Sequence, residues 1–255
     1  MTAAAAMFRA VRELGFNARR LSLLGQLPRY MRDLRQWRRN GGNVTTLFPV
    51  LSDWQDQAGS ASGAYFHQDL LVARKVFTAN PRRHIDVGSR VDGFVAHLAV
   101  FREVEVLDIR PLQSRIPNIR FLQADLMHSV ETLRTCTDSL SCLHALEHFG
   151  LGRYSDPIDP QGHLKGFRSL IDMLEPQGRL YLSFPVGVPA VEFNAHRVFD
   201  AAEPLSWPGS ELLELERFDY VDDAGDLHED IRRDDIATRC GSLKHGCGIY
   251  TFVRR

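Results

Sequence analysis

The stretch from His84 to Phe101 constrains this chain more than any other. A short apolar run, Ile85 and Val87 around Asp86, ends at Gly88. From Gly93 the spacing changes to threes and fours through Phe94, Val95, Leu98 and Phe101, the period of a helix. Strand, glycine turn and helix in that order make a cradle. Glycine admits positive φ and lets a ligand lie against the backbone, and the helix start offers free N–H groups. Two nucleotide motifs can be tested against the letters. In GxxxxGK[ST], Phe94 and Val95 stand where the lysine and hydroxyl belong, so phosphate and magnesium lose their holders. In GxGxxG, Arg90 stands at the second glycine, where a pyrophosphate needs close approach. The looser acid-x-Gly pattern, Asp86-Val87-Gly88, survives both tests.

Strand and helix patterns alternate along the rest of the chain, which argues a mostly parallel sheet with helices on both faces. Strands are expected at 83–87, 104–108, 119–122, 138–143, 179–184, 213–220 and 248–254, with helices over 64–78, 93–101, 127–134 and 160–174. On the first helix, Phe66, Leu70, Ala73 and Phe77 form an apolar stripe. The second strand ends at Asp108, 22 residues after Asp86; an acid at that distance suits the two hydroxyls of a ribose. The third ends before Asp125, whose competing role is to cap the helix that follows.

Four landmarks then resemble the class I S-adenosylmethionine (SAM)-dependent methyltransferases: Asp86-Val87-Gly88, Asp108, the Leu146-Glu147-His148 tripeptide after strand four, and the Leu174–Ser183 turn into strand five. Two departures are Ser89-Arg90-Val91-Asp92 in place of further glycines, and Gln177 at the first glycine of the turn. The stretches YFHQDL, IDVGSRVDGFVAHL and LEHFGLGRYSDPIDP are also similar to an uncharacterised methyltransferase-like family. The resemblance implies an α/β, Rossmann-like fold with a seven-stranded sheet, SAM as cofactor, and transfer of its methyl group to a small-molecule, glycan or lipid-intermediate acceptor. It implies that Asp86, Gly88 and Ser89 meet the methionine part, Asp108 and Ile109 the ribose, and Asp125 and Leu126 the adenine. His144 joins the same wall. If the acceptor is a hydroxyl, His148, His144 and His196 are the candidate bases, since histidine titrates near neutrality.

Composition sets the outer bounds. The 255 residues, 44% hydrophobic and 25% charged, suit one sizeable α/β domain with an extension, divided here as 1–43 and 44–255. Net charge is −1, yet residues 1–40 hold nine arginines against Glu13 and Asp33. They read as two basic amphipathic helices, either a solvated cap or a surface for anionic membrane. No secretory pattern and no spanning run is visible, and the cysteine spacing of 136, 142, 240 and 247 suggests free thiols, so a cytoplasmic protein is expected. Asp156, Asp159 and His163 sit in a proline-rich loop, and no metal site is assigned there. The acidic run Asp219 to Asp235 reads as solvated. The (Asp/Asn)-Pro-Pro-(Tyr/Phe) motif is missing, which speaks against DNA as substrate. Two other readings stay open: a non-catalytic module of the same fold, and a nicotinamide-dependent oxidoreductase.

Overall fold

The computed structural model describes residues 18–59, 61–128 and 131–255. The chain divides into two compact units, Met1–Ser60 and Ala61–Arg255. In the first, a 3-10 turn over Ala18–Gln26 leads into helix α1, Leu27–Arg39, with Pro28 in its first turn. No residue of α1 is buried. Trp37 donates to the Asn43 carbonyl at 3.1 Å and lies across Gly42, where any Cβ would meet its indole. The first of the two basic helices expected within residues 1–40 lies largely outside the described residues.

The second unit is a sheet of eight strands. β1 (His84–Val87), β2 (Val104–Asp108), β3 (Ile119–Gln123), β4 (Thr137–Leu143) and β5 (Leu174–Val186) are parallel. β8 (Leu213–Val221) and β10 (Gly246–Arg254) complete the order β3-β2-β1-β4-β5-β10-β8, with β10 antiparallel to both neighbours. A two-residue strand, β9 (Leu227–His228), is added at the edge, so the sheet has eight strands rather than seven. A separate hairpin pairs β6 (Ala190–Glu192) with β7 (His196–Val198). Alternation along the strands feeds two cores. Helix α2 (Ala64–Ala79) and the segment 91–99 cover one face through Val72, Val76, Phe94 and Leu98. Helix α4 (Gly162–Met173) covers the other through Phe167, Leu170 and Ile171.

Four expectations are corrected. The helix after Gly88 begins as a π turn over Val91–Val95 and is α-helical only at α3, Ala96–Ala99, because Gly93 leaves helical φ/ψ; a Cβ there would stand 2.8 Å from the Asp69 carboxylate. Over 127–134 the described residues form only a 3-10 turn, Glu131–Leu133; a segment this short, with Thr132 at its centre, cannot repay helix nucleation. On α2 the buried side carries Gln68, Asp69, Val72 and Val76, whereas Phe66, Leu70 and Phe77 are exposed. The polar pair is tolerated because the Gln68 amide donates to Asp69 at 2.9 Å and Ser183 donates back to Gln68 at 2.5 Å. Asp219 is not solvated but fully buried, held by Lys75 at 2.7 Å and Arg217 at 2.8 Å. Gln177 takes φ +64, which explains why a glycine suits that turn.

Candidate active site

The carboxyl ends of β1 to β4 open into one recess, where ligands bind in folds of this order. Gly88 forms its floor. Its φ of +70 is one that glycine adopts freely, and a Cβ there would stand 2.8 Å from that of Ala145. Asp108 and Ile109 line one wall, Asp125, Leu126 and Met127 the next, and His144, Ala145 and His148 the third.

Asp86 and Ser89 do not face the recess. Asp86 is fully buried and accepts from the Ser89 amide at 3.1 Å, the Ser89 hydroxyl at 2.7 Å and the Ser141 hydroxyl at 2.6 Å. Burial pushes its pKa up to about 6 against those hydrogen bonds. Strand β1 turns the Asp86 carboxylate inward, where it shapes the glycine turn, and Ser89 lines a neighbouring hollow with Arg90, Asp108 and Arg110.

Asp108 does line the recess, but Arg110 clasps it, donating from Nε to Oδ1 at 2.9 Å and from Nη2 to Oδ2 at 2.5 Å. The same guanidinium lies 4.4 Å from the Tyr154 ring centroid. Asp125 accepts from the Met127 amide at 2.9 Å and approaches His128 at 3.1 Å, an Asx turn rather than the cap of a regular helix.

Beyond His144 the recess widens into a second hollow lined by Tyr65, Arg90, Glu147, His148, Arg153, His196 and His245. Sequence reasoning passed over Glu147 as the middle letter of a motif. It is 1% exposed, its Oε1 accepts from His144 Nδ1 at 2.9 Å and stands 3.7 Å from His148 Nε2, and its Oε2 has no partner. An acid three residues after one histidine and one before another, inside an apolar run, was the available signal. Burial alone would raise the Glu147 pKa, but the hydrogen bond and charge of His144 outweigh it and keep the carboxylate ionised. Burial likewise opposes charge on His144, and Cys247 with Glu147 outweighs it, so His144 holds its proton well above the ordinary range.

His148 differs. Its Nδ1 is 2.7 Å from the Ala195 carbonyl, which assigns the ring proton there and leaves Nε2 as the basic atom. Burial, opposed by Glu147, lowers its pKa, so the ring is neutral at pH 7. His196 lies on the same hollow with a buried Nε2 that has no partner. Arg197 fixes this side by donating to the carbonyls of Glu147 at 3.2 Å and Phe149 at 2.7 Å. Asp156, Asp159 and His163 do not converge. Asp156 accepts from the amides of Gly150, Gly152 and Tyr154, Asp159 pairs with Lys165, and His163 packs against Phe199 and Trp207.

The residues fit SAM: a glycine floor, a strand-end carboxylate at β2, and an acid beside apolar Leu126 and Met127 at β3. Sheet order, the antiparallel β10 and this recess define the class I SAM-dependent methyltransferase fold. Solved structures agree. The [4+2]-cyclase SpnF superposes with TM-score 0.52 at 15% identity, covering 84% of this chain and 89% of that one. N-methyltransferase NodS from Bradyrhizobium japonicum, solved with S-adenosylhomocysteine (SAH), gives 0.50 at 14% identity over 75% and 88%. A sarcosine dimethylglycine methyltransferase candidate from Galdieria sulphuraria gives 0.50 at 14% over 74% and 84%. A family described as "Caenorhabditis protein of unknown function, DUF268" matches residues 81–207. No curated protein matches the chain.

Proposed function

We propose that the chain binds SAM and transfers its methyl group to an acceptor held in the hollow beside Glu147 and His148. The observation that carries this reading is the continuous pair of spaces: a glycine-floored recess with Asp108 and Asp125 on its walls, opening past His144 to a neutral histidine. Bound SAM supplies an already activated methyl group, so the protein's work is positioning. Asp108 and Ile109 take the ribose, Asp125 and Leu126 the adenine, and Gly88 admits the backbone side of the ligand. His144, locked to Glu147, orients that carboxylate. His148 Nε2 accepts the proton of an acceptor hydroxyl, and Nδ1–H on the Ala195 carbonyl keeps the tautomer in register. Acceptors of the small-molecule, glycan or lipid-intermediate kind suit a hollow this open.

Calorimetric titration of the purified chain with SAM and with SAH tests the cofactor half. Binding of either with a stoichiometry of one is the expected result, and a folded chain that binds neither would sink it. The Arg110 clasp on Asp108 favours one rival, a non-catalytic module in which the acid is structural. That rival predicts no SAH binding.

We also propose that residues 1–40 rest on anionic membrane. Five arginines on α1, none of whose residues is buried, support this. Among the described residues no helix is long and apolar enough to cross a membrane. Co-sedimentation with vesicles containing phosphatidylserine is expected for the full chain and lost on deleting residues 1–40, with neutral vesicles bound by neither. Equal binding of the two chains would remove the proposal.

A further inference from the structure

We propose that Glu192, His196 and His245 form a binding site for a divalent transition-metal ion of the zinc type at the edge of the acceptor hollow. One ligand atom from each lies within 4.8 Å of the others, and among the described residues this is the one group of three such side chains that converges. Local structure brings them together from distant parts of the chain. Glu192 ends β6 and His196 begins β7, directly opposite one another in the antiparallel register; opposed pairs have Cβ atoms about 5 Å apart. His245 arrives from the segment before β10, with its backbone amide fixed on Asp223 at 2.9 Å and that of Lys244 at 3.0 Å. The imidazoles of His196 and His245 stand 6.0 Å apart, centroid to centroid.

Two imidazoles and a carboxylate are the donors zinc prefers, with bonds of about 2.0–2.2 Å. Side-chain rotation of about 1 Å closes the present spacing to that geometry. The buried Nε2 of His196, without any hydrogen-bond partner, is a ring nitrogen that the protein itself does not use. Three protein ligands leave a coordination position for water or an acceptor oxygen. His196 and His245 both line the hollow that holds His148, so an ion there would meet the acceptor rather than the cofactor. The inference rests on these three side chains and does not depend on SAM binding.

The test uses the full chain, free of any affinity tag and stripped with a chelator. Zinc is titrated calorimetrically and cobalt by its ligand-field absorption. One ion per chain is expected, with a cobalt spectrum of a nitrogen and oxygen donor set and a raised Tm on loading. The double variant His196→Ala with His245→Ala is expected to bind at least about 100-fold more weakly, and Glu192→Gln about tenfold more weakly. Circular dichroism establishes that each variant is folded, and the cobalt spectrum of the wild type stands alone if the double variant is not. No ion bound by the wild type, or equal affinity in folded variants, would overturn the site.

Discussion

Replacing Asp86 with alanine is expected to cost about 3 kcal/mol or more of folding free energy, because it strips the acceptor from buried donors worth about 1–3 kcal/mol each. Those donors belong to a chain of hydrogen bonds inside the sheet. Ser141 donates to Asp86 at 2.6 Å, so its oxygen is left to accept from His84 Nε2 at 3.1 Å. His84 Nδ1 then accepts from Ser139 at 2.7 Å. The carboxylate thus sets the direction of every proton outward to Ser139. On the other side it holds Ser89, whose hydroxyl oxygen accepts from the Leu143 amide at 3.2 Å. Asp86→Asn keeps one acceptor oxygen for the two hydroxyls and is expected to lose less. Urea unfolding measures both, and an alanine variant as stable as the wild type would refute the network.

The same network fixes the acid response. Burial lowers the His84 pKa to about 3 from 6.5, so its neutral form belongs to the folded state. That stability is whole above pH 6.5 and is lost as pH falls through the window to about 3. His163, lowered by burial to about 4, acts in the same sense. Asp86 acts oppositely: raised from 3.8 to about 6, it favours the folded state below 3.8 and loses that contribution as pH rises through 6. The two histidines outweigh it, so Tm is expected to fall as pH drops from 6.5 to 4.5. In Asp86→Ala the opposing contribution is gone, and the fall is expected to be steeper.

What the letters revealed and what they hid divide along one physical line. Short apolar-rich runs fixed β1, β2, β3 and β4 to within one residue at each end, although β3 is a largely exposed edge strand and β4 buries Thr137, Ser139 and Ser141. Spacing put Asp108 and Asp125 at strand ends, and both line the recess. Side-chain direction on a turn has no such signal. Asp86 and Ser89 turn inward because Ser141 waits there, a partner 55 residues away. The buried side of α2 is hidden for a related reason: it includes the polar pair Gln68 and Asp69, and the Ser183 hydroxyl that satisfies Gln68 comes from 115 residues away. Glu147 looked like a motif letter until His144 and His148 were seen flanking its carboxylate. The convergence of Glu192, His196 and His245 needs a hairpin and a strand start 49 residues on, which no local pattern encodes.

Asp108→Ala is expected to weaken SAH binding at least about 100-fold, the loss of charge-assisted hydrogen bonds to two hydroxyls at roughly 1.5–3 kcal/mol each. Stability should change little, since the pair it leaves, with Arg110, is 42% exposed on the arginine side and such pairs contribute about 0–1 kcal/mol. That small value is the reason the clasp does not forbid a ribose. Opening it costs little. Arg110→Ala should therefore tighten SAH binding a few-fold, by about the free energy of an exposed ion pair. The two variants move in opposite directions only if the carboxylate is the ligand-binding group and the arginine its competitor. Should Arg110→Ala abolish binding while Asp108→Ala leaves it intact, the cation would be the recognising group. An anionic ligand would then replace SAM as the occupant of the recess.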